Sequence, residues 1–312
     1  MIGFRYHLVS LAAVLLAVAL GVLLGATQLS GAVGDDLRGQ VRSLTKDNGD
    51  LQAQVKAGQA RVRTDDTITT QLTPKLVAGA LRGAKVVVVA TAQATDATTD
   101  SVAKTLQQAG ATVTGRVQLT DDYSDPRRAE DAKSYVTGGG QPAGFQLPES
   151  EDSGVLSGAL LSYALLGDKD GDPTAAVTTE VLSGFASLRM LRVDSPSVAA
   201  GDLAVVVSSG GVTGTEPAPR LRSLTALVSS LDSAGKGVVV AGTPAAAGAS
   251  GLVGAVRADR GLASAVSTVD DADRPVGQVA AIFALAQQSA GRSGQYGTGS
   301  GVDGPFPPLS AG

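Results

Sequence analysis

From Leu8 to Gln28 the chain is rich in Leu, Ala and Val and carries no Asp, Glu, Lys or Arg; after Arg5 the next charged residue is Asp35. About 20 apolar residues at ~1.5 Å rise cross a hydrocarbon core of ~30 Å. A secretory signal has an apolar region of only roughly 7–15 residues. Residues 8–29 are therefore expected to be an uncleaved transmembrane anchor behind a stub at 1–7, although Ser30-Gly31-Ala32 fits a cleavage site. Arg5 and His7 precede the span, and Asp35 and Asp36 follow it. The excess of positive charge on the amino-terminal side predicts a single-pass protein of the cell membrane, with a cytoplasmic amino terminus and everything from Ser30 extracytoplasmic. Ala13, Ala17, Gly21 and Gly25 fall four apart along the span. Gly-xxx-Gly spacing lets two transmembrane backbones approach until van der Waals contact drives pairing.

Beyond the span the apolar period becomes a heptad. Leu37, Leu44 and Leu51 repeat every seven residues, and Val41, Asn48, Val55 and Val62 repeat likewise, offset by four. With the Leu set at d and the Val set at a, the pattern favours two parallel strands, and a single Asn at a fixes register and dimeric state. Residues 30–73 are thus read as a parallel coiled-coil helix ending at Pro74, continuous with the small-residue face of the span. Gly39, Gly49 and Gly58 each cost about 1 kcal/mol relative to Ala inside a helix. A single amphipathic helix packed on its own domain is the alternative.

From residue 84 the pattern alternates between apolar runs and amphipathic stretches. Lys85 to Ala90 reads as a strand covered on both faces. A helix over Thr99–Ala109 and a strand over Ala111–Leu119 complete one strand–helix–strand unit. The pattern resumes with a strand at Leu203–Val207, a helix at Pro219–Ala234, a strand at Gly237–Ala241, a helix near Ala249–Ala258, a strand at Ala265–Val269 and a helix at Val276–Ala290. Such alternation predicts an α/β domain over 84–290, a Rossmann-like doubly wound parallel sheet with helices on both faces. Residues 121–200 are less regular and read as an insertion, with helices near Val155–Leu166 and Ala176–Ser187; residues 291–312 read as a flexible Gly/Pro-rich tail.

Composition narrows the chemistry. The 312 residues are 43% apolar, and 25 basic against 29 acidic side chains give a net charge of −4, so no basic footprint for nucleic acid exists. Cys is absent, which removes disulfides and thiolate chemistry. His7 is the single histidine and lies before the span, so a Ser-His-Asp triad cannot form in the outer domain; no serine is marked as the nucleophile of a Ser–Lys pair. The loop after the first strand, Thr91 to Asp96, contains no glycine, which argues against a dinucleotide fingerprint, and no P-loop run is present. Ser209, Gly210, Gly211, Gly242 and Thr243 close two later strands and could frame a shallow pocket or form simple turns. Asp168 to Asp172 resembles part of a calcium loop, but Pro173 and Thr179 stand where Gly and Glu are needed. In Asp270-Asp271-Ala272-Asp273-Arg274-Pro275, Asp273 is placed to cap a helix begun by Pro275; the carboxylates could also form an acid/base pair, but no partner residue supports that. No catalytic, cofactor or metal residue is assigned, and the outer domain is expected not to be an enzyme.

Several stretches together resemble one actinobacterial family, the MctB-like copper transporters. They are Arg5-Tyr6-His7-Leu8-Val9-Ser10-Leu11-Ala12-Ala13-Val14, Gly21-Val22-Leu23-Leu24-Gly25, Ser267-Thr268-Val269-Asp270-Asp271 and Tyr296-Gly297-Thr298-Gly299. The resemblance covers nearly the whole chain and implies a cell-envelope protein linked to copper efflux or channel formation. The chain also resembles the SteB-like septal branch, which implies a partner protein in wall assembly or division and a dimeric scaffold as the competing role. The residues themselves supply no copper site: copper(I) prefers Cys, Met and His, and on the extracytoplasmic side of the span only Met190 qualifies. A membrane β-barrel needs many alternating strands of roughly ten residues, and the strand runs here are uniformly apolar.

Overall fold

Backbone is described for residues 3–169, 171–214 and 216–308 of a computed structural model, and side chains for these residues except 3–5 and 26–38. The first helix, α1, covers Gly3–Leu76 as one element. The chain divides into two units, Met1–Asp65 and Asp66–Gly312. Pro74 does not end α1 but lies in its last turn. The missing N–H leaves one carbonyl of the preceding turn without its partner, and the helix stops two residues later.

In the second unit β1 (Lys85–Ala90) is buried from its second residue onward, and β4 (Leu203–Ser208) along its whole length. Both are valine runs because successive side chains enter different cores. Val87, Val89, Ala204 and Val206 join one core, whereas Val86, Val88, Val205 and Val207 join the other. Between β1 and β4 the chain forms α2 (Asp96–Gln108), β2 (Thr112–Leu119), the short α3 (Asp121–Ser124), α4 (Ala129–Thr137), α5 (Ser153–Leu166), α6 (Ala175–Ser187) and β3 (Leu191–Val193). After β4 follow α7 (Pro217–Ala234), β5 (Val238–Gly242), α8 (Leu252–Ala258), α9 (Arg260–Ala265), β6 (Ser267–Val269), α10 (Pro275–Gln288) and β7 (Gln295–Tyr296).

The strands form a seven-stranded sheet in the order β3-β2-β1-β4-β5-β6-β7. All neighbours are parallel except β2 and β3. One core is filled by Leu160, Leu165, Phe185, Leu227 and Leu231 from α5, α6 and α7; the other by Leu106, Ile282 and Leu285 from α2 and α10. The mixed α/β sheet with helices on both faces is as the alternation implies. The 121–200 stretch contributes the antiparallel edge strand β3, which the periodicity did not reveal. The Gly-rich stretch after residue 291 carries β7, whose backbone completes the other edge against β6. The strand expected over Ala265–Val269 begins at Ser267, because Asp259 caps α9 by accepting from the amides of Gly261 and Leu262, and that helix holds Ala265.

Candidate functional site

Three places bring chemistry-bearing residues together, and the first lies on α1. Tyr6–Gly25 is 20 residues long with mean hydropathy 2.7, and none of it is buried. A Cβ added at Gly21 or Gly25 would meet nothing within 4 Å. Of the heptad set, Leu37 lies outside the residues whose side chains are described. Val41, Leu44, Leu51, Val55 and Val62 are all exposed, Leu44 by 67%. Asn48 Oδ1 accepts from Gln52 Nε2 at 2.7 Å, which orients the amide on the same face as the Val set. Two shallow depressions lie along this face, one bordered by Val41, Leu44, Thr45 and Asn48 and the next by Asn48, Leu51, Gln52 and Val55. Each lining includes residues at a, d, e and the following a, together with two neighbours, Gly49 and Gln52 in the first and Lys56 and Gln59 in the second.

The second place is the carboxyl edge of the sheet, at the switch point between β1 and β4, where doubly wound folds bind ligands. Here the polar groups bond to one another. Thr91 Oγ1 donates to Ser208 Oγ at 3.2 Å, and Gln118 Nε2 donates to the Thr91 carbonyl at 2.6 Å. Ser209 Oγ accepts from the Thr95 amide at 3.1 Å, while Thr243 Oγ1 donates to the Ser209 carbonyl at 2.6 Å. Ser209 and Thr243 are thus brought together. Gly242 and Gly211 have packing reasons: a Cβ at Gly242 would lie 2.6 Å from Val253 Cγ2, and one at Gly211 would lie 2.4 Å from Ser250 Oγ. Gly210 faces open space, its nearest neighbour being Gln93 Cβ at 3.9 Å. Alongside, Arg220 pairs with Asp125 at 3.1 Å, both side chains nearly buried. A hydrogen bond from Arg127, reinforced by the charges of Arg127 and Arg220, holds the Asp125 carboxyl well below the usual carboxylate range.

The third place was not singled out as a site by sequence reasoning. Asp270 follows β6 and is fully buried; it pairs with Arg257 of α8 at 2.7 Å. Its two oxygens also accept from the amides of Thr298 at 2.7 Å and Gly299 at 2.9 Å. Arg257 also donates through Nε to Thr268 Oγ1, through Nη2 to the Tyr296 carbonyl and through Nη1 to the Ser300 carbonyl. Gly297 sits at φ +127°, where a Cβ would fall 2.0 Å from Asp270 Oδ1, so glycine alone fits. The stretches Ser267–Asp271 and Tyr296–Gly299, separate in sequence, are therefore the two sides of one ion-pair clamp. The signal that could have found it is a pair of carboxylates closing an apolar strand, followed by two glycines in the last edge segment.

Asp271 beside it is 4% exposed, and its Oδ1 has no hydrogen-bond partner. Burial, with the neighbouring charge of Asp270, pushes this carboxyl up to about 6, against the opposing pull of Arg274. A carboxyl whose folded value is raised favours folding while protonated and loses that contribution as pH climbs from about 4 through about 6. Asp271→Asn is therefore expected to raise stability at pH 7.5 by about 2 kcal/mol and to give no gain at pH 4. Urea melts at the two pH values check this, and equal gains at both would refute it.

Asp273 does not cap α10. The cap position is Arg274, without a side-chain cap bond, and Pro275 takes the first helical position as expected. Arg274 instead donates to Asp66 Oδ1 through Nη2 at 2.9 Å and Nε at 3.1 Å. In the calcium-like segment Asp170 lies outside the described residues, while Asp168 and Gly171 exchange backbone hydrogen bonds in a tight turn. Among the described residues no group of three His, Cys, Asp or Glu side chains could hold a metal ion. Met190 is 1% exposed, its thioether enclosed in the core. Among the described residues the donor set does not form a copper(I) site.

Comparison with known proteins gives these features a context. The family described as "Copper transport outer membrane protein, MctB" matches residues 1–307. Copper transporter MctB of Mycobacterium tuberculosis and that of Mycobacterium bovis are each 35% identical to this chain over 310 residues, covering 97% of it and 98% of each relative. Copper transporter MctB of Mycobacterium leprae is 34% identical over 312 residues, with the same shares covered. With the match running from the apolar helix to the loop that closes on Asp270, the chain belongs to the MctB family.

Proposed function

We propose that the protein acts in copper transport or efflux at the cell envelope as a membrane-anchored parallel homodimer, with its amino terminus cytoplasmic and its α/β domain extracytoplasmic. Family membership over residues 1–307 carries the copper role. The exposed a/d face from Val41 to Val62, with one Asn at an a position, supports the dimer. The lack of a soft-ligand set among the described residues supports a role in which this chain organises export and does not hold the ion in its α/β domain. The domain is read as non-catalytic because the switch-point hydroxyls and amides bond to one another rather than to a base.

Deletion is expected to lower copper tolerance and to raise cellular copper, and complementation is expected to restore both. Tolerance and metal content equal to the parent strain's would remove the copper reading. A second reading, a scaffold coupling a wall-synthesis or division protein to the membrane, rests on the same exposed seam. It predicts misshapen septa and increased sensitivity to wall antibiotics in the deletion strain; normal septa with unchanged sensitivity would count against it.

A further inference from the structure

Away from the sheet edge, α5 and α7 run against each other along small residues. A Cβ at Gly154 would lie 3.0 Å from Ser223 Cα, and one at Gly158 would lie 3.0 Å from Ser230 Oγ and 3.1 Å from Leu227 Cα. At the outer side of this seam lies a groove of about 370 Å³ whose lining includes Phe145, Ser162, Tyr163, Ser229, Ser230 and Ser233. This is within the size range of small-molecule sites. Phe145 and Tyr163 stack with ring centroids 4.6 Å apart and planes 26° off parallel.

Ser162 makes the groove more than a surface dent. It is 1% exposed, and its Oγ has no hydrogen-bond partner. A serine inside a helix ordinarily returns its hydroxyl to a carbonyl of the preceding turn; Ser233 on α7 does so, donating to the Ser229 carbonyl at 2.9 Å. A buried hydroxyl without a partner is costly unless something else satisfies it. Asp168 is the single charged residue in the described lining, and no Lys or Arg accompanies it. An anion would find no cation there, and a wholly apolar ligand would leave Ser162 unsatisfied. A ligand with one apolar face and a rim of neutral hydroxyls matches both requirements.

We propose that this groove binds a neutral sugar ring, with the aromatic pair against the ring's C–H face and the hydroxyls of Ser162 and Ser230 exchanging hydrogen bonds with its rim. The site is independent of the copper reading and of the dimer.

The test is saturation-transfer NMR on the full chain in lipid nanodiscs, since glycoside detergents would compete, with N-acetylglucosamine trimer and maltotriose as probes. Transfer to ring protons of at least one probe is expected. It should fall about fivefold in Ser162→Ala, which removes one hydrogen bond, and vanish in Ser230→Leu, which fills the groove from a half-buried position. Gln59→Ala, on α1, should leave transfer unchanged. Near-UV circular dichroism identical to the parent's confirms that each variant is folded. If Ser230→Leu is not, Tyr163→Ala takes its place. Absence of transfer from both sugars, or equal transfer in the parent and the groove-filling variant, would overturn the proposal. So would transfer from indole alone, which would mark an apolar site.

Discussion

Replacing Arg257 with Met should destabilise the α/β unit by about 3–5 kcal/mol, the range for removing one partner of a buried ion pair. Arg257 is 6% exposed and Asp270 fully buried, so the variant leaves a carboxylate without its countercharge in a place water does not reach. The amides of Thr298 and Gly299 would still reach Asp270. The hydroxyl of Thr268 and the carbonyls of Tyr296 and Ser300 would each lose a donor. The damage should be local first: residues 297–304 should become protease-sensitive below the global melt, because Arg257 holds the Tyr296 and Ser300 carbonyls of this loop and the Asp270 carboxylate that receives its amides. The double variant Arg257→Met with Asp270→Asn removes the charge and should recover part of the loss. Urea melts of the full chain measure both. A single variant as stable as the parent, or a double variant no better than the single, would show that the clamp contributes nothing net.

The second large effect concerns assembly. Gly21→Ile together with Leu44→Asp is expected to convert a dimer to a monomer in mild detergent, halving the protein mass measured by light scattering. In the proposed pair, isoleucine at Gly21 would put a branched side chain where the two backbones approach closely. Aspartate at Leu44 places two like carboxylates opposite each other at a d position, where each would be desolvated. Either change alone should weaken pairing only partly, since the span and the heptad segment are separate parts of one helix. Cysteines introduced one by one from residue 41 to 62 should cross-link with heptad phase. A mass unchanged in the double variant, or a cross-linking yield without phase, would sink the parallel pair.

The central strands were legible because a parallel sheet covered on both faces asks for β-branched residues at every position, and Val86–Val89, Val205–Val207 and Val238–Val240 meet that demand locally. The edges were not. Leu191–Val193 and Gln295–Tyr296 are too short to show a period, and they are strands because β2 and β6 present unpaired backbone groups to them. The short α9 was hidden similarly: its one local sign is Asp259, whose cap bonds became evident only with the backbone in place.

Of the candidate residues, the heptad set on α1 could be read by counting, because a helix carries its own periodicity into space. The clamp could not be read that way. Arg257 is, by sequence, an ordinary basic residue in the last turn of a short helix, 13 positions from Asp270 and 39 from Tyr296. Local order along the chain determined the apolar helix and the alternation of strand and helix, since each depends on neighbours within a few residues. The pairing of Arg257 with Asp270, the buried Asp271 Oδ1 and the serine-lined groove were decided only by tertiary structure, because burial and hydrogen bonding depend on what the fold brings close from far along the chain.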